Sequence, residues 1–169
     1  QAYFEGKKEL FKGLAMEKLE KDWTVYPVIR LDLSSGKYYS LSALKSTVNN
    51  ILSDYEKLYH LRFALEDTFG VRLTRIIKAA YEKSHRQVVV LVDEYDAPLL
   101  DVMHEEKALP ILRNVMRNFY SPLKASDPYL QFVFLTGITK FSQLSIFSEL
   151  NNLKNISMRP DYAAVCGIT

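Results

Sequence analysis

Apolar residues fall into two kinds of pattern along this chain. Three short runs read as strands: Val28-Ile-Arg-Leu-Asp-Leu33, Val88-Val-Val-Leu-Val92 and Phe132-Val-Phe-Leu-Thr136. The last two are almost wholly apolar and bounded by polar residues, the pattern of strands covered on both faces; half-exposed antiparallel strands alternate instead. The stretches between the runs, 34–87 and 93–131, are far too long for hairpins and carry a helical period. Leu41, Leu44, Val48, Ile51, Tyr55 and Leu58 recur every three or four residues, which puts them on one helix face. Phe69, Leu73, Ile76, Ile77 and Ala80 repeat the pattern, and Leu109, Leu112, Met116 and Phe119 form a third set with Pro110 in a first turn, where its missing N–H costs little. Ser34-Ser35-Gly36 supplies a turn after the first strand. Strands separated by helical crossovers predict an α/β fold, a parallel sheet with helices on its faces.

Length and composition narrow this without changing it. The 169 residues suit one domain, and no internal repeat or Gly/Ser/Pro-rich linker divides them. With 48% apolar and 25% charged residues, disorder and low complexity are excluded. The longest apolar run, Val88 to Val92, is far short of the ~18 residues of a membrane span. Lys plus Arg exceed Asp plus Glu by only two, 22 against 20, so charge indicates neither a nucleic-acid footprint nor a membrane-surface patch. A single cysteine, Cys166, cannot form an internal disulfide; a reducing, cytoplasmic setting is the expectation. The first residues, Gln-Ala-Tyr-Phe-Glu, show no apolar signal segment, lack Met and read as the middle of an element, so the chain is expected to be a piece of a longer protein.

Candidate chemistry gathers where the second run ends, at Asp93-Glu94-Tyr95-Asp96. In open parallel sheets ligands bind beyond the carboxyl ends of the strands. A carboxylate at that point holds Mg²⁺ directly or through water, and a second beside it orients or deprotonates an attacking water. This is the arrangement called Walker B in P-loop nucleotide hydrolases. The structural alternative makes Asp93 a helix cap, with Glu94 and Asp96 in a solvated first turn. In P-loop nucleotide hydrolases a polar residue on the neighbouring strand tip reads the terminal phosphate, and Thr136, at the end of the third run, is placed for that role, with Lys140 near the same edge; the alternative is an ordinary strand exit and a solvated lysine. A phosphate-wrapping loop needs Gly-x-x-x-x-Gly-Lys-Ser/Thr. The Gly-Lys pairs here, Gly6-Lys7 and Gly36-Lys37, are followed by Lys8 and Tyr38, so that loop is absent from the sequence. His60, His85 and His104 lack metal-ligand spacing. The eleven tyrosines are scattered and suggest no stacking platform.

Four segments together resemble the bacterial AAA-ATPase-like family: Tyr3-Phe-Glu-Gly-Lys-Lys-Glu-Leu-Phe-Lys-Gly-Leu14, Val90-Leu-Val-Asp-Glu-Tyr-Asp-Ala-Pro-Leu99, Phe132-Val-Phe-Leu-Thr-Gly-Ile-Thr-Lys140 and Leu150-Asn-Asn-Leu153. The similarity spans essentially the whole chain. It implies a three-layer sheet of the P-loop NTPase type, one domain over 1–169 truncated at both ends, with the P-loop and its strand lying before Gln1. It implies Asp93 as the Mg²⁺-side carboxylate, Glu94 as the water-activating one and Thr136 as the sensor; Asp96 matches the family string but receives no role. Mg²⁺ and ATP are the cofactors implied for the longer protein, and any nucleic-acid contact would belong to a separate nuclease-like domain.

The expected function is therefore one part of a Mg²⁺-dependent P-loop ATPase, with the chain alone inactive and binding neither ATP nor Mg²⁺ tightly. A catalytically silent NTPase-like interaction module is the alternative, and a Mg²⁺-dependent nuclease using Asp93, Glu94 and Asp96 a further one. The 88–92 strand is expected between 28–33 and 132–136. The free edge of 132–136 is expected to be covered by a terminal segment or to support self-association.

Overall fold

The computed structural model describes residues 1–138, 146, 153–157 and 159–162. The three apolar runs become β1 (Val28–Asp32), β2 (Val88–Asp93) and β3 (Leu130–Leu135), in the order β1-β2-β3 with both pairings parallel. Parallel pairing requires long crossovers, and helices supply them. A short helix α1 (Ala15–Leu19) precedes β1; α2 (Leu41–Leu58) and α3 (Phe69–Ser84) link β1 to β2; α4 (Ala97–Leu100), α5 (Ala108–Tyr120) and α6 (Pro122–Ala125) link β2 to β3.

The long helices start where side chains satisfy their free N–H groups. Ser40 Oγ accepts from Ala43 N at 3.2 Å before α2, and Thr68 Oγ1 accepts from Val71 N at 3.3 Å before α3. The α3 helix ends at His85 in a left-handed conformation (φ 52°). Their apolar stripes meet one face of the sheet. Leu44, Val48 and Leu52 of α2, Leu73, Ile76 and Ile77 of α3, and Met116 and Phe119 of α5 share one buried cluster with Ile29, Leu31, Val90 and Val92. Each such side chain contributes about 1.5–3 kcal/mol of transfer free energy before the entropy of ordering it. Polar residues also bridge the helices: Arg72 of α3 lies against Glu56 of α2 (Nε–Oε1 2.7 Å, Nη2–Oε2 2.8 Å), both buried, with its ring-facing side over Phe63.

Register fixes what the other face carries. Val28, Val89 and Phe132 form one row, Arg30, Leu91 and Phe134 the next, and Asp32 stands opposite Asp93 in the last. Among the described residues no long helix packs here, so the third helical layer implied by the resemblance is not made by them. An aromatic arm from residues 1–26 lies here instead. Phe4 packs on Phe132 (centroids 5.4 Å) and Tyr26, while Tyr3, Phe11 and Trp23 pack on one another behind it. Tyr26 N donates to Phe4 O at 2.8 Å, which ties the arm to the entry of β1. No residue of α1 is buried.

The two margins of the sheet differ. Outside β1, the Tyr55 hydroxyl from α2 accepts from Arg30 N (2.6 Å) and donates to Arg30 O (3.0 Å), satisfying both main-chain groups. Outside β3, no backbone hydrogen bond reaches the strand from the described residues. The arm thus meets β3 through the Phe4 ring on its face, not by pairing with its edge.

Candidate functional site

The polar residues that end the apolar runs converge at the carboxyl tips of the strands. Asp93 is the last residue of β2, and Thr136 directly follows β3. Thr136 N donates to Val92 O (2.9 Å) and Thr136 O accepts from Tyr95 N (2.9 Å), continuing the pairing one step past the strands. The Thr136 hydroxyl donates to Asp93 Oδ1 at 2.7 Å. The two residues expected to share one level of the sheet are therefore in direct contact. Asp93 keeps 43% of its side chain exposed, open enough to meet a ligand.

Two further residues complete the tip. Arg30 Nη2 lies 2.8 Å from Asp32 Oδ2 and 3.1 Å from Asp93 Oδ2, one nitrogen between two carboxylates. Asp32 Oδ1 accepts from the Ser34 hydroxyl (2.6 Å) and Ser34 N (3.0 Å). These bonds, with Arg30 adding its charge, hold the Asp32 carboxyl below its usual range. Neither Arg30 nor Asp32 stood out in the sequence. The available signal was the alternation Val-Ile-Arg-Leu-Asp-Leu in the first strand alone, which marks one face of it as meeting polar partners.

Beyond Asp93 the chain turns sharply. Glu94 adopts φ 53°, a left-handed conformation that costs a residue with a Cβ about 1–2 kcal/mol. Glu94 is half-buried, whereas the next two residues turn inward: Tyr95 and Asp96 are buried. Burial, and then the neighbouring Asp96, push the Tyr95 phenol up to about 12, and Tyr95 O accepts from the buried Tyr120 hydroxyl at 3.2 Å. Asp96 lies under the exit of β3, where a Cβ on Gly137 would stand 2.5 Å from Asp96 Oδ1 and 2.6 Å from Tyr95 Cε1. Only a glycine passes there, so the Thr-Gly exit is shaped by packing. The alternative of Asp93 as a helix cap does not hold: the residue before α4 is Asp96, and it is not in a solvated turn. Nor do three acids share one open tip, because Asp96 is enclosed while Asp93 is exposed. Lys140 and Cys166 lie outside the described residues. Among the described residues no group of three His, Cys, Asp or Glu is arranged to hold a metal ion, and no helix is long and apolar enough to cross a membrane.

Comparison with known proteins adds two matches. A family model, AAA-ATPase-like, described as "Predicted AAA-ATPase", matches residues 1–147. An "Uncharacterized protein in vnfD 5'region" of Azotobacter chroococcum mcd 1 is 35% identical over 167 residues, 98% of this chain and 32% of the relative. The chain thus spans about a third of the length of that relative. No solved structure matches.

Proposed function

The chain belongs to the AAA-ATPase-like family, and from that premise we propose that it forms the Walker B and sensor part of a Mg²⁺-dependent P-loop ATPase. The observation that carries this reading is the 2.7 Å hydrogen bond from Thr136 to Asp93 across adjacent parallel strand tips, with Glu94 as the next residue. In this reading Asp93 is the carboxylate on the Mg²⁺ side, Glu94 orients and deprotonates the attacking water, and Thr136 reads the terminal phosphate of ATP. The donor set fits the ion: Asp93 and its neighbour Asp32 offer hard carboxylate oxygens, and Mg²⁺ takes one or two of these plus phosphate oxygens. When bound, the ion would neutralise charge developing on the transferred phosphoryl group.

The left-handed backbone at Glu94 supports the division of labour. It turns Tyr95 and Asp96 into the core while leaving Glu94 half-exposed beside Asp93. A general base needs such a fixed position within reach of its proton. The phosphate cradle belongs, in this reading, to residues outside this sequence, and their strand would pair with the outer edge of β3. Phosphoryl transfer depends on positioning and charge stabilisation, so the chain without that cradle is expected to be silent.

Calorimetry with Mg²⁺-ATP tests this on two proteins, the 169-residue chain and a longer one joining it to a Gly-Lys-Ser loop. The longer protein is expected to bind ATP. There, Glu94→Gln should slow hydrolysis by about 10²–10⁴-fold while binding persists, the usual weight of a general base. Micromolar ATP binding by the chain alone would show that the nucleotide site lies elsewhere.

A further inference from the structure

We propose that Arg30 is the resident counter-ion of the acidic strand tips, a positioning residue that a divalent cation must displace to reach Asp93; this rests on the reading of Asp93 as the Mg²⁺-side carboxylate. Each carboxylate has one oxygen engaged elsewhere. Asp32 Oδ1 is held by Ser34, and Asp93 Oδ1 by Thr136. The oxygens left over, Asp32 Oδ2 and Asp93 Oδ2, both point to the same guanidinium nitrogen, at 2.8 and 3.1 Å. A seat between two hard oxygens on adjacent strands is therefore filled by a cation supplied by the chain itself.

The way Arg30 is held suits a tethered, releasable charge. Its main chain is fixed: Arg30 stands in register with Leu91 of β2, and the Tyr55 hydroxyl bonds both its N–H and its C=O. Its side chain, in contrast, is 46% exposed and bonds only at its tip. Exposed ion pairs hold weakly, so the guanidinium can swing into water at small cost. Two carboxylates and one guanidinium sum to one negative charge; without Arg30 the sum is two. Arg30 thus lowers the affinity of the tips for a bare ion, and an ion that arrives with phosphate oxygens is favoured over one that arrives alone.

Mn²⁺, followed by its electron paramagnetic resonance signal, is the probe, titrated into the chain without nucleotide. Arg30→Gln is expected to tighten Mn²⁺ binding about 3–10-fold, the scale of the exposed ion pairs that no longer compete. Arg30→Lys, which keeps the charge, should stay within about two-fold of the parent. Asp93→Asn should weaken binding. Melting curves of each variant confirm that the fold persists. Unchanged or weaker binding by Arg30→Gln, with Asp93→Asn weakened, would overturn the role of Arg30 and leave the reading of Asp93 intact. Tightening by Arg30→Lys as strong as by Arg30→Gln would also overturn it, since charge would not be the cause. If Asp93→Asn leaves Mn²⁺ affinity unchanged, the reading of Asp93 fails and this proposal with it.

Discussion

Tyr38 stands just past the end of β1, fully buried, and its hydroxyl donates to Leu33 O at 2.7 Å while its N–H donates to Asp101 Oδ2 at 2.7 Å. Burial first, then the charges of Asp101 and Asp32, push its phenol up to about 12. A phenol whose folded value is raised stabilises the fold below the unfolded value of 10.0 and loses that contribution as pH climbs towards 12. Tyr38→Phe is expected to cost about 1 kcal/mol in urea unfolding at pH 7, where a carbonyl loses its donor. The same variant should show a shallower loss of stability across pH 10–12; an unchanged alkaline limb would contradict the assignment. At this scale the placement of Asp93, Glu94 and Thr136 at the strand tips was legible because each ends or follows an apolar run. The burial of Asp96 was not, because it depends on the left-handed turn at Glu94, and no glycine there announced one. Arg30 was hidden for a different reason: one of its two carboxylate partners, Asp93, lies on the neighbouring strand, so only register brings them together.

The long helices carry a second lesson. Their apolar period predicted α2, α3 and α5 closely, since each buries one stripe against the sheet. What periodicity does not reveal is that polar residues sit within the buried surface between α2 and α3. Glu56 and Arg72 are buried together, with the Asn49 side chain also accepting from the guanidinium. Removing one partner leaves an uncompensated buried charge, which costs about 3–5 kcal/mol. Glu56→Gln and Arg72→Met should each lower the unfolding free energy on that scale in urea titrations. The double variant Glu56→Met/Arg72→Met should recover much of the loss, because packed apolar groups replace a buried pair at little net cost. Equal losses in single and double variants would show that packing around the pair, not its charge, holds α2 to α3. The N-terminal arm was the least legible element. It has no period of 2 or 3.6 to read; its order comes from ring contacts between Tyr3, Phe4, Phe11 and Trp23, residues up to 20 positions apart.

Over the whole molecule, parallel pairing followed from buried runs joined by helical crossovers, and the middle place of the 88–92 strand from the family resemblance, so the meeting of Asp93 and Thr136 at the sheet's carboxyl end followed too. The unequal treatment of the two faces and the two margins did not, because a run such as Phe132–Leu135 reads the same whether its partner is a helix, an arm or another strand. That inequality predicts a stoichiometry for any association through the sheet edge. Among the described residues the sheet has one margin where the Tyr55 hydroxyl takes both main-chain groups of Arg30, and one without backbone partners. A particle with a single adhesive side can meet another only side to same side, about a two-fold axis, and such a contact closes at two copies. A particle with two different adhesive sides stacks without end. Sedimentation velocity at rising concentration should therefore show nothing larger than a dimer for the parent chain. Tyr55→Phe, which frees the Arg30 N–H and C=O at the second margin, should add species beyond the dimer, and their absence would mean that this margin is closed by more than one phenol. Tyr55, the phenol that holds the Arg30 main chain, would then decide whether copies of this sheet form pairs or fibres.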